Sequence, residues 1–196
     1  NSLNGKPVIR FDGVDDALSG DALTLAQDFT LVLVTKVNNQ TSGLLDPIFS
    51  LDDNTGDDDT GGNGFALTNS SLDNQVLFSH NTEIVSQGLM ESAYQILTVN
   101  WNNGALALAV NGIDIDNQTY TDNAFNALTY WLGQRSDAAL LNRIDYAEIL
   151  FFDESLTAVQ QTALLQGLTD KYGVGFGSTS FGMIGHWAFE DVSGAI

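Results

Sequence analysis

Between Tyr94 and Gly112 the chain alternates apolar and polar residues with a period of two, broken by residues that tolerate positive φ. This pattern specifies antiparallel strands. Leu97, Val99 and Trp101 share one strand face, which makes Trp101 an interior residue. Asn102-Asn103-Gly104 supplies the turn, and Leu106, Leu108 and Val110 share a face of the next strand. Asn111-Gly112 makes a second tight turn before the Ile113–Ile115 run. Short apolar runs of the same kind recur at Val8–Phe11, Phe29–Val37, Pro47–Leu51, Phe65–Thr68, Gln75–His80, Thr129–Gly133 and Tyr146–Phe152, separated by Gly, Asn and Asp clusters. Their number and spacing predict an all-β sandwich or barrel with strands enough for two sheets.

One segment departs from the period of two. From Thr157 to Tyr172 the apolar residues Val159, Ala163, Leu164, Leu168 and Tyr172 recur at helical intervals, which predicts a single amphipathic helix packed on the sheets. Thr157 with Gln160 three residues later forms a capping-box pattern, and Gly173 stands where a left-handed terminal residue is wanted. Residues 1–174 are expected to form one domain and the Gly/Ser-rich stretch 175–182 a linker. The strand-like residues 183–196 either return to this domain or open a following module. Asn1 at the start reads as a cut from something longer, so neighbouring modules of the same chain are expected partners, with the fragment itself a monomer.

Charge narrows the partners. With 25 Asp and Glu against 6 Lys and Arg, the net charge of −19 is unsuited to nucleic acid, because neutralising each phosphate takes a cation. Anionic membrane surfaces are disfavoured for the same reason. No apolar stretch approaches the roughly 18 residues of a membrane-spanning helix, so membrane insertion is not expected. Cysteine is absent, which removes disulfides, thiolate zinc sites and cysteine nucleophiles together. Asp outnumbers Glu 20 to 5, which points to turns and to hard oxygen-liganded cations rather than solvated helices. The acidic balance fits a secreted or cell-surface protein.

Three pieces in order carry a family resemblance: the opening Gly5-Lys6-Pro7-Val8-Ile9-Arg10-Phe11-Asp12-Gly13-Val14-Asp15-Asp16, the hairpin from Trp101 to Leu108-Ala109-Val110-Asn111-Gly112, and Ile144-Asp145-Tyr146-Ala147-Glu148-Ile149-Leu150-Phe151-Phe152-Asp153-Glu154 running on to Lys171-Tyr172-Gly173. Together, over residues 3–174, they resemble the laminin G-like, concanavalin A-like lectin/glucanase superfamily in its bacterial multidomain form. The resemblance implies a two-sheet antiparallel jelly-roll sandwich with one C-terminal helix. It does not select a function, since such folds host lectins, protein binders, glycanases and spacers. Residues Ile184 to Gly194 resemble the strand that opens many such repeats.

Hydrolysis requires two carboxylates about 5–5.5 Å apart for retention, on one face of a strand. Glucanases resembling this fold carry E-x-D-x-(x)-E there, and this chain places Leu150 and Phe152 where the second and third acids would stand. Asp145 with Glu148 or Asp153 are the remaining options for an atypical pair. His80 and His186 are the only histidines, and no zinc motif accompanies them.

Calcium is the better-supported cofactor. Asp52, Asp53, Asp57, Asp58, Asp59 and Asn63 lie in a glycine-flanked loop able to supply carboxylate and carbonyl oxygens, although it is neither an EF-hand nor a repeated nonapeptide. A solvated acidic loop is the other reading. Asp12, Asp15 and Asp16 form a second candidate, with Asx-turn geometry as the alternative role. For a glycan or an extracellular protein or peptide, the candidate contacts are Tyr120, Tyr130 and Trp131, with Asn117, Asn123, Asn126, Arg135 and Asp137 able to bond hydroxyls. Tyr130 and Trp131 adjoin in a strand and must face opposite ways. The chain is thus expected to be a non-catalytic, calcium-assisted binding module acting through rim loops. A ligand-free structural spacer and a glycan hydrolase are the rivals.

Overall fold

The computed structural model describes residues 2–23, 28–39, 46–52, 64–70, 75–80, 83–89, 93–120, 125, 128–134 and 141–174. A small hairpin of β1 (Ser2–Leu3) and β2 (Lys6–Pro7) precedes β3 (Ile9–Arg10), β4 (Leu18–Leu23), β5 (Asp28–Asn39), β6 (Asp46–Asp52) and β7 (Phe65–Ser70). Then follow β8 (Gln75–His80), β9 (Glu83–Leu89), β10 (Gln95–Asn102), β11 (Ala105–Val110), β12 (Ile113–Thr119), β13 (Leu128–Leu132), β14 (Arg143–Phe152) and the helix α1 (Ala158–Tyr172). Two six-stranded antiparallel sheets result, one in the order β12-β11-β10-β5-β14-β3 and the other β4-β13-β6-β7-β8-β9. The all-β, two-sheet architecture with one C-terminal helix is the expected one.

Local chemistry explains the central hairpins. Asn103 and Gly104 take φ of 45° and 87°, and Asn111 and Gly112 take 51° and 76°, so each pair provides the left-handed residues of a tight turn. The register between them pairs Leu97 with Val110 and Trp101 with Leu106, keeping the apolar set on one face.

β5 reads as a continuous apolar run rather than an alternating one because both its faces are covered. Phe29, Leu31 and Leu33 enter the core between the sheets, while Val32 and Val34 meet α1 on the outside. Inside, Phe29 stacks on Phe65 at 5.2 Å and Phe65 on Phe78 at 5.2 Å, with Trp101 fully buried beside them. The outward strip of β5, with Ile96, receives Leu165, Leu168 and Tyr172.

α1 carries the expected capping box, in which the Thr157 hydroxyl accepts from the Gln160 amide and the Gln160 side chain accepts from the Thr157 amide. Gly173 closes it at φ 67°, donating to the Thr169 carbonyl. Its packing face differs from the expectation. Val159 is exposed and Leu165 is buried, because the inward arc runs through Leu165, Leu168 and Tyr172.

Besides the two-residue strands of the β1–β2 hairpin, two strands were not foreseen. β4 reads Leu-Ser-Gly-Asp-Ala-Leu and β9 Glu-Ile-Val-Ser-Gln-Gly-Leu, and each forms an edge, where a weak intrinsic preference suffices once a neighbour supplies the ladder. Along one side of the sandwich the edges β9 and β12 touch. The opposite side is bounded by the edges β3 and β4. One end of the sandwich gathers the β3–β4 connection, Gly133 and Arg143, and the other gathers the ends of β4, β6 and β10.

Candidate functional site

Alternation along β14 sends Ile144 and Tyr146 into the core and Asp145 to the outer face of its sheet. Asp145 is fully buried there. Its carboxylate accepts Arg10 Nε and Nη2 at 2.6 Å each, Asn38 Nδ2 at 2.7 Å and the Tyr94 hydroxyl at 2.8 Å. Burial by itself would raise its pKa, but the bonds from Arg10, Tyr94 and Asn38 outweigh burial and hold it below the ordinary carboxylate range. The same contact, after burial, pushes the Tyr94 hydroxyl up to about 12.

A bulge between Tyr146 and Glu148 shifts the register of β14, and Glu148 meets α1, where Lys171 and the Tyr172 hydroxyl donate to one of its oxygens. Those two bonds overcome desolvation and keep Glu148 below its usual value. Asp153 is exposed in the turn beyond the strand. The two buried or half-buried acids of β14 are therefore each held by a separate set of donors, and no open general acid is left between them.

The two acidic segments attach to opposite ends of the sandwich. Asp12, Asp15 and Asp16 sit in the β3–β4 connection, with carboxyl oxygens within 4.8 Å of one another. Asp12 Oδ1 accepts the Val14 amide at 2.8 Å and Asp16 Oδ2 accepts the Asp12 amide at 3.0 Å. Two of the oxygens thus form the turn, as the Asx-turn alternative has it. Gly13 takes φ 77°, and a Cβ there would lie 3.0 Å from the Arg143 amide nitrogen. At the far end, Asp52 closes β6 and Gly64 precedes β7. Asp53, Asp57, Asp58, Asp59 and Asn63 lie outside the described residues. His80 marks where that loop returns. It is buried at the end of β8, its Nδ1 2.6 Å from the Gly64 carbonyl and its ring against Trp101 and Phe125.

The expected aromatic contacts divide among three environments. Tyr120 is 6 % exposed and packs 5.1 Å from Trp101, so it belongs to the core and not to the rim expected of it. The opposite orientation of Tyr130 and Trp131 holds: Tyr130 packs against the core between the sheets, and Trp131 stands on the outer face, half-buried, across from Ser50 on β6 and Ser19 on β4. Asn117 is exposed on β12, while Asn123, Asn126, Arg135 and Asp137 lie outside the described residues. Arg10, Asn38 and Tyr94 were not anticipated around Asp145. They are 135, 107 and 51 residues away in sequence, and only Arg10, within the opening motif, offered any signal.

No protein-family model and no curated protein matches the sequence. Solved structures do. A heptameric SAP-like pentraxin from Limulus polyphemus aligns with a TM-score of 0.64 at 16 % identity, covering 84 % of each chain. The ligand-binding domain of botulinum neurotoxin serotype D, in complex with N-acetylneuraminic acid, aligns at 0.60 and 13 % identity over 85 % of this chain and 43 % of that one. The NanB sialidase of Streptococcus pneumoniae, in a K499G mutant, aligns at 0.62 and 13 % over 83 % of this chain and 28 % of that one. The chain thus spans under half of the toxin and sialidase chains. These likenesses show the fold, the concanavalin A-like jelly-roll sandwich that the opening and closing motifs resemble.

Proposed function

We propose that this chain is a non-catalytic binding module of a secreted or cell-surface protein, recognising a glycan or an extracellular protein at the rim of the sandwich with calcium assistance. The observation that carries the reading is the state of the β14 acids. Asp145 and Glu148, one of the carboxylate pairs a hydrolase could use, are each bound by basic and phenolic donors, whereas Trp131 is half-buried on the outer face and the Asp12–Asp16 turn is exposed. Ser19, opposite Trp131, is exposed one residue beyond the connection's end at Leu18. A flat ring with a hydroxyl opposite it on the neighbouring strand suits a sugar, which stacks its apolar face and bonds its edge. Asp12, Asp15 and Asp16 would hold the calcium with carboxyl oxygens that do not close the turn, water completing the shell. The toxin domain's complex with a sialic acid supports a glycan as the first ligand class to try.

The test is glycan-array and calorimetric binding in calcium and in chelator, on the parent and on Trp131→Ala. Binding that requires Trp131 and weakens in chelator supports the module. At calcium about a hundred times its dissociation constant, linkage predicts about 2.7 kcal/mol of added stability and a shift in thermal midpoint of about 5–10 °C. A midpoint indifferent to chelation removes calcium from the reading. Failure of every glycan and protein probe to bind favours a spacer, and polymer cleavage favours the hydrolase.

A further inference from the structure

On the side bounded by β3 and β4 the sheets leave an apolar slot of about 380 Å³. Ile9, Leu18 and Ile149 form its lips, 58 %, 41 % and 37 % exposed, and are three of the six large apolar side chains exposed among the described residues. Phe49, Tyr130 and Phe151 line its interior. Gly20 on β4 leaves room for the Tyr130 ring that lines the slot, since a Cβ there would fall 2.2 Å from the Tyr130 hydroxyl. Apolar lips between two strand edges that have no further strand among the described residues invite one.

The end of the helix points to which strand. The Tyr172 hydroxyl lies 2.9 Å from the Ala147 carbonyl, and Ala147, Glu148 and Ile149 with Pro7, Val8 and Ile9 line a shallow groove that shares Ile9 and Ile149 with the slot. Past Val174, residues 175–182 reach at most about 27 Å when extended, while Ala147 and the slot's Ile149 are two strand positions apart. From Tyr172 to Phe189 the sequence contains no Asp, Glu, Lys or Arg, in a chain with 25 acidic residues. Within that stretch Met183, Gly185, Trp187 and Phe189 share one face of an extended segment.

We propose that Met183–Phe189 adds in cis as a strand at this open side, placing Trp187 and Phe189 in the slot. The short connection makes the event intramolecular and raises the effective concentration of the segment at the slot. This interface is independent of the glycan reading, and either can fail without the other.

The sequence has no cysteine, so a single Leu18→Cys thiol reports the mouth of the slot by its rate of alkylation. Val159→Cys, at a position 80 % exposed on α1, is the control. A segment docked about nine-tenths of the time should slow labelling of Leu18→Cys about ten-fold relative to the same thiol in a Trp187→Asp, Phe189→Asp background, with the control unchanged. Equal rates in the two backgrounds would overturn the proposal. Protection that rises with protein concentration would also overturn it, by assigning the slot to a second copy.

Discussion

Replacing Arg10 by Ala removes the bidentate partner of a carboxylate that has no exposed surface. Leaving one member of a buried ion pair behind costs about 3–5 kcal/mol. The Arg10 side chain is 41 % exposed, so water enters where it stood, and Asn38 and Tyr94 still donate. The expected cost is therefore about 2–3 kcal/mol, or about 1 M in the midpoint of a urea transition. Its pH dependence identifies the cause. In the parent, the folded pKa of Asp145 is depressed, so its contribution is complete above the unfolded value of about 3.9 and is lost as pH falls through the folded value. In the variant, burial is opposed only by the two remaining neutral donors and the folded pKa rises. The variant is then penalised at neutral pH and recovers as the carboxyl takes a proton, so its deficit should narrow between about pH 5 and 3. Asp145→Asn, which leaves Arg10 free to turn to water, should cost only about 1–2 kcal/mol and leave ligand binding intact. Urea titrations at neutral and acid pH measure both. A deficit below about 0.5 kcal/mol for Arg10→Ala, or one that widens on acidification, would refute the account of Asp145 as a desolvated, donor-held anion.

Gly133→Ala should destabilise by about 2–4 kcal/mol in the same assay, since Gly133 has φ 67° and its Cβ would fall 2.1 Å from the buried ring of Phe11. Thr157→Ala should cost about 1 kcal/mol by removing one half of the capping box. In an alkaline phenolate titration of the five tyrosines, Tyr94 should ionise near 12, with Tyr146, fully enclosed, later still. The stability tied to neutral Tyr94 is complete below about 10 and lost as pH rises through its folded value, and Asp145→Asn should bring that ionisation down.

Much of the fold was legible because its signals are local. The period of two from Leu97 to Val110, the Asn-Gly turns and the Thr157–Gln160 cap act over a few residues, and each is found where the pattern put it. The edge strands β4 and β9 were not legible, since their residues have weak preferences and their neighbours across the ladder provide the order. The candidate site was legible only in part. Tyr130 and Trp131 were identified and their opposite orientation followed from adjacency, but which of them faces outward, and that Tyr120, equally aromatic and equally near a polar loop, is enclosed by Trp101 and Phe78, came only with the fold.

The sequence by itself determined the class of the protein, its hairpins, its helix and the lack of a glucanase-type acid triplet on β14, because chain periodicity and residue type settle those. Tertiary structure alone decided that Asp145 is held as an anion by Arg10, Asn38 and Tyr94, that Glu148 is held by the helix, and that the two acidic segments attach to opposite ends. The physical reason is that a carboxylate's chemistry depends on the donors and the solvent around it. Those arrive from strands that only the pairing of two sheets brings together.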